Sequence, residues 1–241
     1  MVTKRNATTS KTMLLWASVF ALAIYFVPYP YNVFALYPLR LFITLIHESG
    51  HALAAVLTGG SVNYLQVFTN GEGVTWSQTS LWAQGIVISG GYLGTTIFGA
   101  ILLQLARSPK WKTTLAGIAL YVLAVTLIWA HNPFDNLFTL VVGIVLGAIL
   151  LGLARGLPPI GASFVVTFLA VQCCLNAVGD LRILLQLTTT MPGKDNDAVF
   201  MSQHFPFPPT FWAIAWAVAA VCILALSLKS YLGRSPARKQ A

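Results

Sequence analysis

Charged residues are scarce in this chain. Of its 241 residues, only 8% are Asp, Glu, Lys or Arg, whereas 57% are hydrophobic. Soluble domains carry roughly 25% charged residues, so the composition excludes an ordinary water-soluble protein. The hydrophobic residues also form runs long enough to cross about 30 Å of hydrocarbon, which excludes one oversized soluble core. The sequence therefore predicts a polytopic membrane protein.

Cysteine is also rare, since the chain has only Cys173, Cys174 and Cys222. All three lie inside apolar runs, their number is odd, and no two have the CxxC spacing. These facts exclude a disulfide framework and a cysteine-based metal knuckle. We interpret the three thiols as packing residues.

Acidic residues are the scarcest charged group. Six Asp and Glu stand against fourteen Lys and Arg, which gives a net charge of +8. In a soluble protein this excess would suggest nucleic acid as a partner. Here the basic residues lie mostly in tails and loops, as topology signals that face anionic lipid do, so the predicted partner is the bilayer and not nucleic acid. They include Lys4, Arg5, Lys11, Arg107, Lys110, Lys112, Lys229, Arg234, Arg238 and Lys239.

Seven apolar runs follow one another along the chain, separated by short stretches rich in proline, glycine or asparagine. Each is expected to be a helix, because a segment in lipid must satisfy its backbone hydrogen bonds internally. No linker is long enough for a second domain, so residues 1–241 are expected to form one domain with basic tails at 1–12 and 230–241. The runs cover residues 13–27, 36–57, 85–106, 113–130, 136–154, 160–178 and 210–229.

The number of crossings is predicted to be six or seven. Seven crossings with the N-terminus inside would leave most basic residues outside, against the positive-inside rule. Six crossings, with one of the first two runs re-entrant or non-crossing, would put both tails inside, and this arrangement is favoured. As an alternative, the first run could be a secretory signal that is removed, because Lys4, Arg5 and Lys11 precede a short apolar stretch.

Ionisable side chains inside an apolar run occur only in run 36–57, where Arg40, His47, Glu48 and His51 lie. Such residues are costly at membrane depth and therefore indicate function. His47-Glu48-Ser49-Gly50-His51 is an HExxH motif. Residues four apart share one face of a helix, so both imidazoles can bind one zinc ion. Glu48 points to a neighbouring face, where it can act as the general base on a zinc-bound water.

An HExxH motif inside a transmembrane helix resembles the site-2 protease family of intramembrane zinc metallopeptidases, in particular its compact bacterial-type branch. In that family a small membrane-associated β-hairpin follows the motif helix. Here residues 62–69 and 74–80 alternate as strands do, and they flank the turn signal Asn70-Gly71-Glu72-Gly73. A hairpin beside the site would suit capture of an unwound substrate by strand addition.

The resemblance also implies that a later helix supplies an Asp as the third zinc ligand, because catalytic zinc takes three protein ligands and a water. The remaining acids and histidines leave several candidates open. We choose Asp180, with Asp135 as the next choice. Asn176 lies four residues before Asp180, so it is predicted to bind substrate or to orient a ligand from the same helix face. The candidates are Glu72, His131, Asp135, Asp180, Asp195, Asp197 and His204.

The sequence thus predicts an all-α membrane bundle of six to seven helices with one β-hairpin. The resemblance implies a zinc endopeptidase of the bacterial cytoplasmic membrane that cuts transmembrane or membrane-associated proteins. Two alternatives stay open. The His-Glu-His cluster could serve a metal or proton transporter, although no other run offers interior charges, or the chain could be a catalytically silent scaffold.

Overall fold

The computed structural model describes residues 2–29, 31–130, 133–190 and 196–233, with side chains described except at 2–10, 25, 32, 35, 133–135 and 176–190. Eight α-helices and one two-stranded sheet make up this described part. The helices are α1 (Val2–Ala23), α2 (Tyr31–Leu57), α3 (Leu81–Leu105), α4 (Trp111–Trp129), α5 (Pro133–Gly156), α6 (Pro159–Thr190), α7 (Asp197–His204) and α8 (Pro209–Gly233). The strands are β1 (Ser61–Val67) and β2 (Gly73–Gln78), and a 3-10 turn spans Ile24–Phe26.

Each of the seven predicted apolar runs coincides with one long helix, which confirms the helical prediction. Within the described residues, four helical segments are long and apolar enough to cross a membrane: Leu81–Leu105, Trp111–Trp129, Asn136–Gly156 and Pro209–Gly233. Shorter apolar helical segments lie at Lys11–Ala23 and Pro159–Leu175. These segments indicate an integral membrane protein, while the count of six or seven crossings stays a prediction.

The motif helix α2 packs closely against α3. A Cβ atom added at Gly90 would lie 2.8 Å from the Gly50 carbonyl oxygen and 3.0 Å from the Ala54 Cβ. Such close contact requires residues without bulky side chains at the crossing, and glycines four apart on one helix, such as Gly90 and Gly94, allow it. Phe42 meets Phe98 with ring centroids 6.5 Å apart, so the two helices run antiparallel. This contact sets the depth of the HExxH residues relative to α3.

The predicted β-hairpin is present and lies along α2. Val67 pairs with Gly73, Leu65 pairs with Thr75, and the turn between the strands has Gly71 at φ 81°. Leu65 and Val67 are buried on the inner face of the hairpin. Leu65 and Val67 are two residues apart, so they point to the same face of β1, and this face is the apolar half of the alternating pattern seen in the sequence.

Polar side chains of α2 hold the tip of the hairpin. The Tyr37 hydroxyl donates to the Thr69 carbonyl over 2.6 Å, and the Thr44 hydroxyl donates to the Gly71 carbonyl over 2.8 Å. The side chain of Arg40 lies directly beside Gly71. These contacts satisfy backbone groups of the turn, which gives the polar residues early in α2 a structural role.

Helix α5 binds the other side of the hairpin. Asn136 Nδ2 donates to the Leu65 carbonyl over 2.7 Å, and the Val67 N–H donates to Thr139 Oγ1 over 2.9 Å. Asn136 and Thr139 are both buried and are themselves joined by a 2.6 Å hydrogen bond. The outer edge of β1 is therefore occupied by α5 side chains at these two residues.

Two features at the C-terminal part differ from the predicted runs. Helix α6 continues to Thr190, twelve residues beyond the predicted end at 178, and the short helix α7 has no counterpart among the seven runs. The apolar run ends at 178 because polar residues follow, although the helix itself continues through them. Helix α7 is only eight residues long, too short to produce an apolar run of membrane length.

The close contact between α2 and α3 predicts a difference between two glycines. Gly90→Ala should destabilise the protein by about 1–3 kcal/mol, because its Cβ would overlap the backbone of Gly50. Gly117→Ala in α4 is the matched control, since a Cβ there meets no atom within 4 Å. Unfolding of the purified protein in detergent, followed by circular dichroism, measures both. Equal stability of the two variants would contradict the proposed packing.

Candidate metal centre

His47 and His51 lie one turn apart on α2 and present their rings to the same place. Their Nε2 atoms are 3.1 Å apart, and the ring centroids are 4.9 Å apart. His51 is buried, and His47 has 16% of its side chain exposed. The HExxH spacing therefore brings both imidazoles together, as the sequence predicts.

A carboxylate from α7 completes a group of three. Asp197 Oδ2 lies 3.2 Å from His47 Nε2 and 3.3 Å from His51 Nε2. Asn196 caps the start of α7, because its side-chain oxygen accepts hydrogen bonds from the N–H groups of Ala198 and Val199. The cap fixes the backbone that carries Asp197. Among the described residues, His47, His51 and Asp197 form a group able to hold a metal ion.

The donor atoms fit a zinc ion in both chemistry and spacing. In a tetrahedral zinc site with bonds of 2.0–2.1 Å, neighbouring ligand atoms are about 3.3 Å apart. The three separations here are 3.1, 3.2 and 3.3 Å. His51 Nδ1 donates to the Val87 carbonyl over 2.7 Å. This bond keeps the ring proton on Nδ1 and leaves the lone pair of Nε2 available to a metal, as a carbonyl bonded to the other ring nitrogen does in zinc proteins.

Glycine is required opposite the two imidazoles. Gly91 of α3 is buried, and a Cβ added there would collide with the Nε2 atoms of both His47 and His51. Because Gly91 has no side chain, the space in front of the two nitrogen atoms stays open. The same glycine-rich face of α3 therefore allows both the close helix packing and the metal group.

Glu48 is buried beside this group and contacts the hairpin. Its Oε2 accepts a hydrogen bond from the Thr75 hydroxyl over 2.8 Å. A Cβ added at Gly73 would lie 2.7 Å from Glu48 Oε1. Strand β2 thus forms one wall of the site, and the Glu48 carboxylate contacts this strand without belonging to the three-atom group.

The electrostatics of Asp197 favour its ionised form. Burial raises the pKa of the Asp197 carboxyl, but the rings of His51 and His47 oppose burial and together lower the pKa well below its ordinary value. The group therefore offers an anionic oxygen next to two imidazoles. This is the donor set of a divalent metal site with two nitrogen ligands and one oxygen ligand.

The other predicted site residues are placed as follows. The side chains of Asp180 and Asn176, predicted as ligand and substrate-binding residue, lie outside the described part of the chain, as do those of Asp135, His131 and Asp195. Their roles stay predictions. Glu72 is exposed in the hairpin turn, where Asn70 Nδ2 donates to its carboxylate. His204 is exposed at the end of α7 and bonds the Phe200 carbonyl.

Asp197 was among the sequence candidates but was not the one chosen. A signal for it exists in the sequence. Asn196 followed by Asp197 at the start of an apolar stretch is the pattern of an N-cap with an acid in the first turn. That pattern predicts a short helix, but it does not predict that the helix packs beside α2, because this depends on tertiary contacts.

Residues 15–227 match the model of a protein family described as Peptidase M50B-like. No curated protein and no solved structure matches the chain significantly. The matched range includes every residue of the metal group and of the hairpin, and it confirms the resemblance to the site-2 protease family.

The open space in front of the imidazoles predicts that Gly91→Ala loses the metal. Its Cβ would occupy the position next to both Nε2 atoms, so we expect the content of bound zinc to fall below about one tenth of the wild-type content. Gly152→Ala in α5 is the control, since a Cβ there meets no atom within 4 Å. Metal analysis of the purified variants gives the answer. Full zinc content in Gly91→Ala would exclude this site.

Proposed function

Because the chain belongs to the Peptidase M50B-like family, we propose that it is an intramembrane zinc endopeptidase with Glu48 as its general base. The observation that carries the proposal is the group of His47, His51 and Asp197. Its three donor atoms lie 3.1 to 3.3 Å from one another, inside an apolar bundle and next to a buried glutamate. M50 peptidases are zinc-dependent membrane proteases in general, so this group is where zinc is expected.

Each residue of the group has a chemical task in this proposal. His47 and His51 would supply neutral nitrogen ligands, and Asp197 would supply the third, anionic ligand. A bound zinc ion polarises a carbonyl group and lowers the pKa of its water toward 7. The carbonyl of Val87 keeps the proton of His51 on Nδ1, so that Nε2 stays a ligand.

Glu48 would accept a proton from water at the start of hydrolysis and deliver it to the leaving amine afterwards. Its position supports both steps, because it lies on the turn between the two histidines and is held by the Thr75 hydroxyl at 2.8 Å. That hydrogen bond would keep the carboxylate in one rotamer before substrate arrives. Because Glu48 contacts β2, the proposed general base would lie next to the strand that would bind the substrate.

Strand β2 is the edge to which a substrate would add. Residues of an antiparallel strand direct their N–H and C=O groups alternately to its two sides. Phe68 N–H donates to the Glu72 carbonyl across the hairpin, whereas Leu65 and Val67 bond α5 on the opposite side. By this alternation, Gly73 and Thr75 direct their backbone groups away from β1. An extended peptide that paired with them would lie beside Glu48.

The substrates would be transmembrane or membrane-associated proteins with a segment that unwinds easily. A helix in lipid shields its peptide bonds with its own hydrogen bonds, so the substrate must open before it can pair with β2. Water would enter from the end of the bundle where α3 begins. Val87, which bonds His51, is only six residues from that end, or about 9 Å along the helix. The proposed location is the bacterial cytoplasmic membrane.

Replacing the general base separates catalysis from metal binding. Glu48→Gln should lower the cleavage rate at least about 1,000-fold, because an amide cannot accept the proton, while zinc stays near one per chain. The assay is cleavage of a transmembrane test substrate in proteoliposomes, combined with metal analysis. Cleavage at the wild-type rate by Glu48→Gln would overturn the mechanism. Zinc flux across vesicles that hold the wild-type protein would instead favour a transporter.

Two aspartates can be compared directly as the third ligand. Asp197→Ala should lose zinc, because it removes the oxygen that lies 3.2 and 3.3 Å from the two imidazoles. Asp180→Ala serves as the matched variant and should keep zinc if Asp197 is the ligand. Metal analysis and chelator competition on both purified variants decide between them. Loss of zinc in Asp180→Ala alone would restore the ligand chosen from the sequence.

A further inference from the structure

The two histidines of the metal group are held in different ways. Histidine ligands of metals almost always bond their second ring nitrogen to a carbonyl, a carboxylate or water, and this bond fixes the ring. His51 follows the rule, because Nδ1 donates to the Val87 carbonyl over 2.7 Å. For His47, the hydrogen bonds found among the described residues involve Nε2, the nitrogen that faces the group. Among the described side chains, the further restraint on the His47 ring comes from ring packing.

An aromatic side chain of α3 packs against the ring of His47. The ring of Tyr92 meets His47 edge to face, with centroids 4.7 Å apart and planes at 87°. This is the preferred geometry of an aromatic pair, and it restricts rotation of the imidazole. Tyr92 directly follows Gly91, so one stretch of α3 both leaves space for the group and contacts its less restrained ligand.

Tyr92 is itself fixed from the other side by α8. The Trp216 ring stacks on Tyr92 with centroids 5.3 Å apart and planes at 18°, and Trp216 is only 5% exposed. The indole N–H of Trp216 donates to Ser89 Oγ over 3.0 Å. The stacking on Tyr92 and the hydrogen bond to Ser89 together restrict the indole ring to one orientation. The three rings of Trp216, Tyr92 and His47 therefore contact one another in sequence and form a column from α8 to the metal group.

The same column contacts the helix that carries the third ligand. Tyr92 and Trp216 belong to one apolar cluster with Ala198 and Met201 of α7, both of which are buried. Helix α7 begins with Asp197. The cluster therefore packs against the element behind Asp197 and, through Tyr92, against His47.

We propose that Tyr92, clamped by Trp216, is a positioning residue that orients His47 for metal binding by ring packing in place of a second-nitrogen hydrogen bond. The proposal rests on the proposed function, because it assumes that His47 binds zinc. It assigns Tyr92 no contact with substrate. The part of Tyr92 that contacts His47 is its ring.

Zinc affinity of the purified full-length protein tests this. Chelator competition should show an affinity at least about tenfold lower in Tyr92→Leu, within the range that supporting partners of metal ligands contribute. Tyr92→Phe keeps the ring and should stay within about twofold of wild type. In the cobalt-substituted protein, the visible absorption bands of Tyr92→Leu should shift, whereas those of Tyr92→Phe should not.

The control is Phe164→Leu in α6. Phe164 stacks on Phe168 with centroids 6.1 Å apart, and its ring contacts among the described residues do not include the metal group, so the zinc affinity of this variant should match wild type. Unchanged affinity in Tyr92→Leu would overturn the proposal, as would equal losses in Tyr92→Phe or in Phe164→Leu. A wild-type protein that binds no zinc would instead contradict the proposed function itself, which keeps the two failures distinguishable.

Discussion

The backbones of α2 and α3 touch at Gly50 and Gly90, and the candidate site depends on this contact. It brings the carbonyl of Val87 to hydrogen-bond distance of His51, and it puts Gly91 opposite both imidazoles. Helices with side chains at the crossing would lie 8–10 Å apart, and the carbonyl would not reach the ring. Close packing in an apolar bundle therefore has a chemical result as well as a structural one.

Polar residues in two of the apolar helices share one role, which is to bond the backbone of the hairpin. Tyr37 and Thr44 of α2 bond the tip, and Asn136 and Thr139 of α5 bond β1. A strand among apolar helices needs partners for its backbone groups, because an unpaired group there costs several kcal/mol. With β1 bonded on both sides, the hairpin presents β2 to Glu48, and this asymmetry supports the proposed direction of substrate approach.

Local patterns predicted most of the fold and part of the site. The seven apolar runs, the turn at residues 70–73 and the histidines of HExxH are each encoded within a few residues, so periodicity and spacing identify them. The sequence could not show which of the candidate acids lies beside the two histidines. Asp197 lies 150 residues after His47, and its approach depends on how α7 packs against α3 and α8. No local spacing encodes that packing. The ring contact between Tyr92 and His47 could not be predicted for the same reason, since an aromatic residue in a glycine-containing helix looks like an ordinary core residue in the sequence.

The order of the ligands along the chain has a consequence for biosynthesis. His47 and His51 are synthesised early, whereas Asp197 follows α6 and begins α7, a helix that packs against the later helix α8. A nascent chain that has been inserted only through α6 carries both imidazoles without Asp197 and without the Trp216 side chain. If Asp197 is the third ligand, the complete ligand set forms only after α7 has been synthesised and has packed against α8. A chain that stops before α7 therefore lacks the third ligand, whatever the state of its two imidazoles.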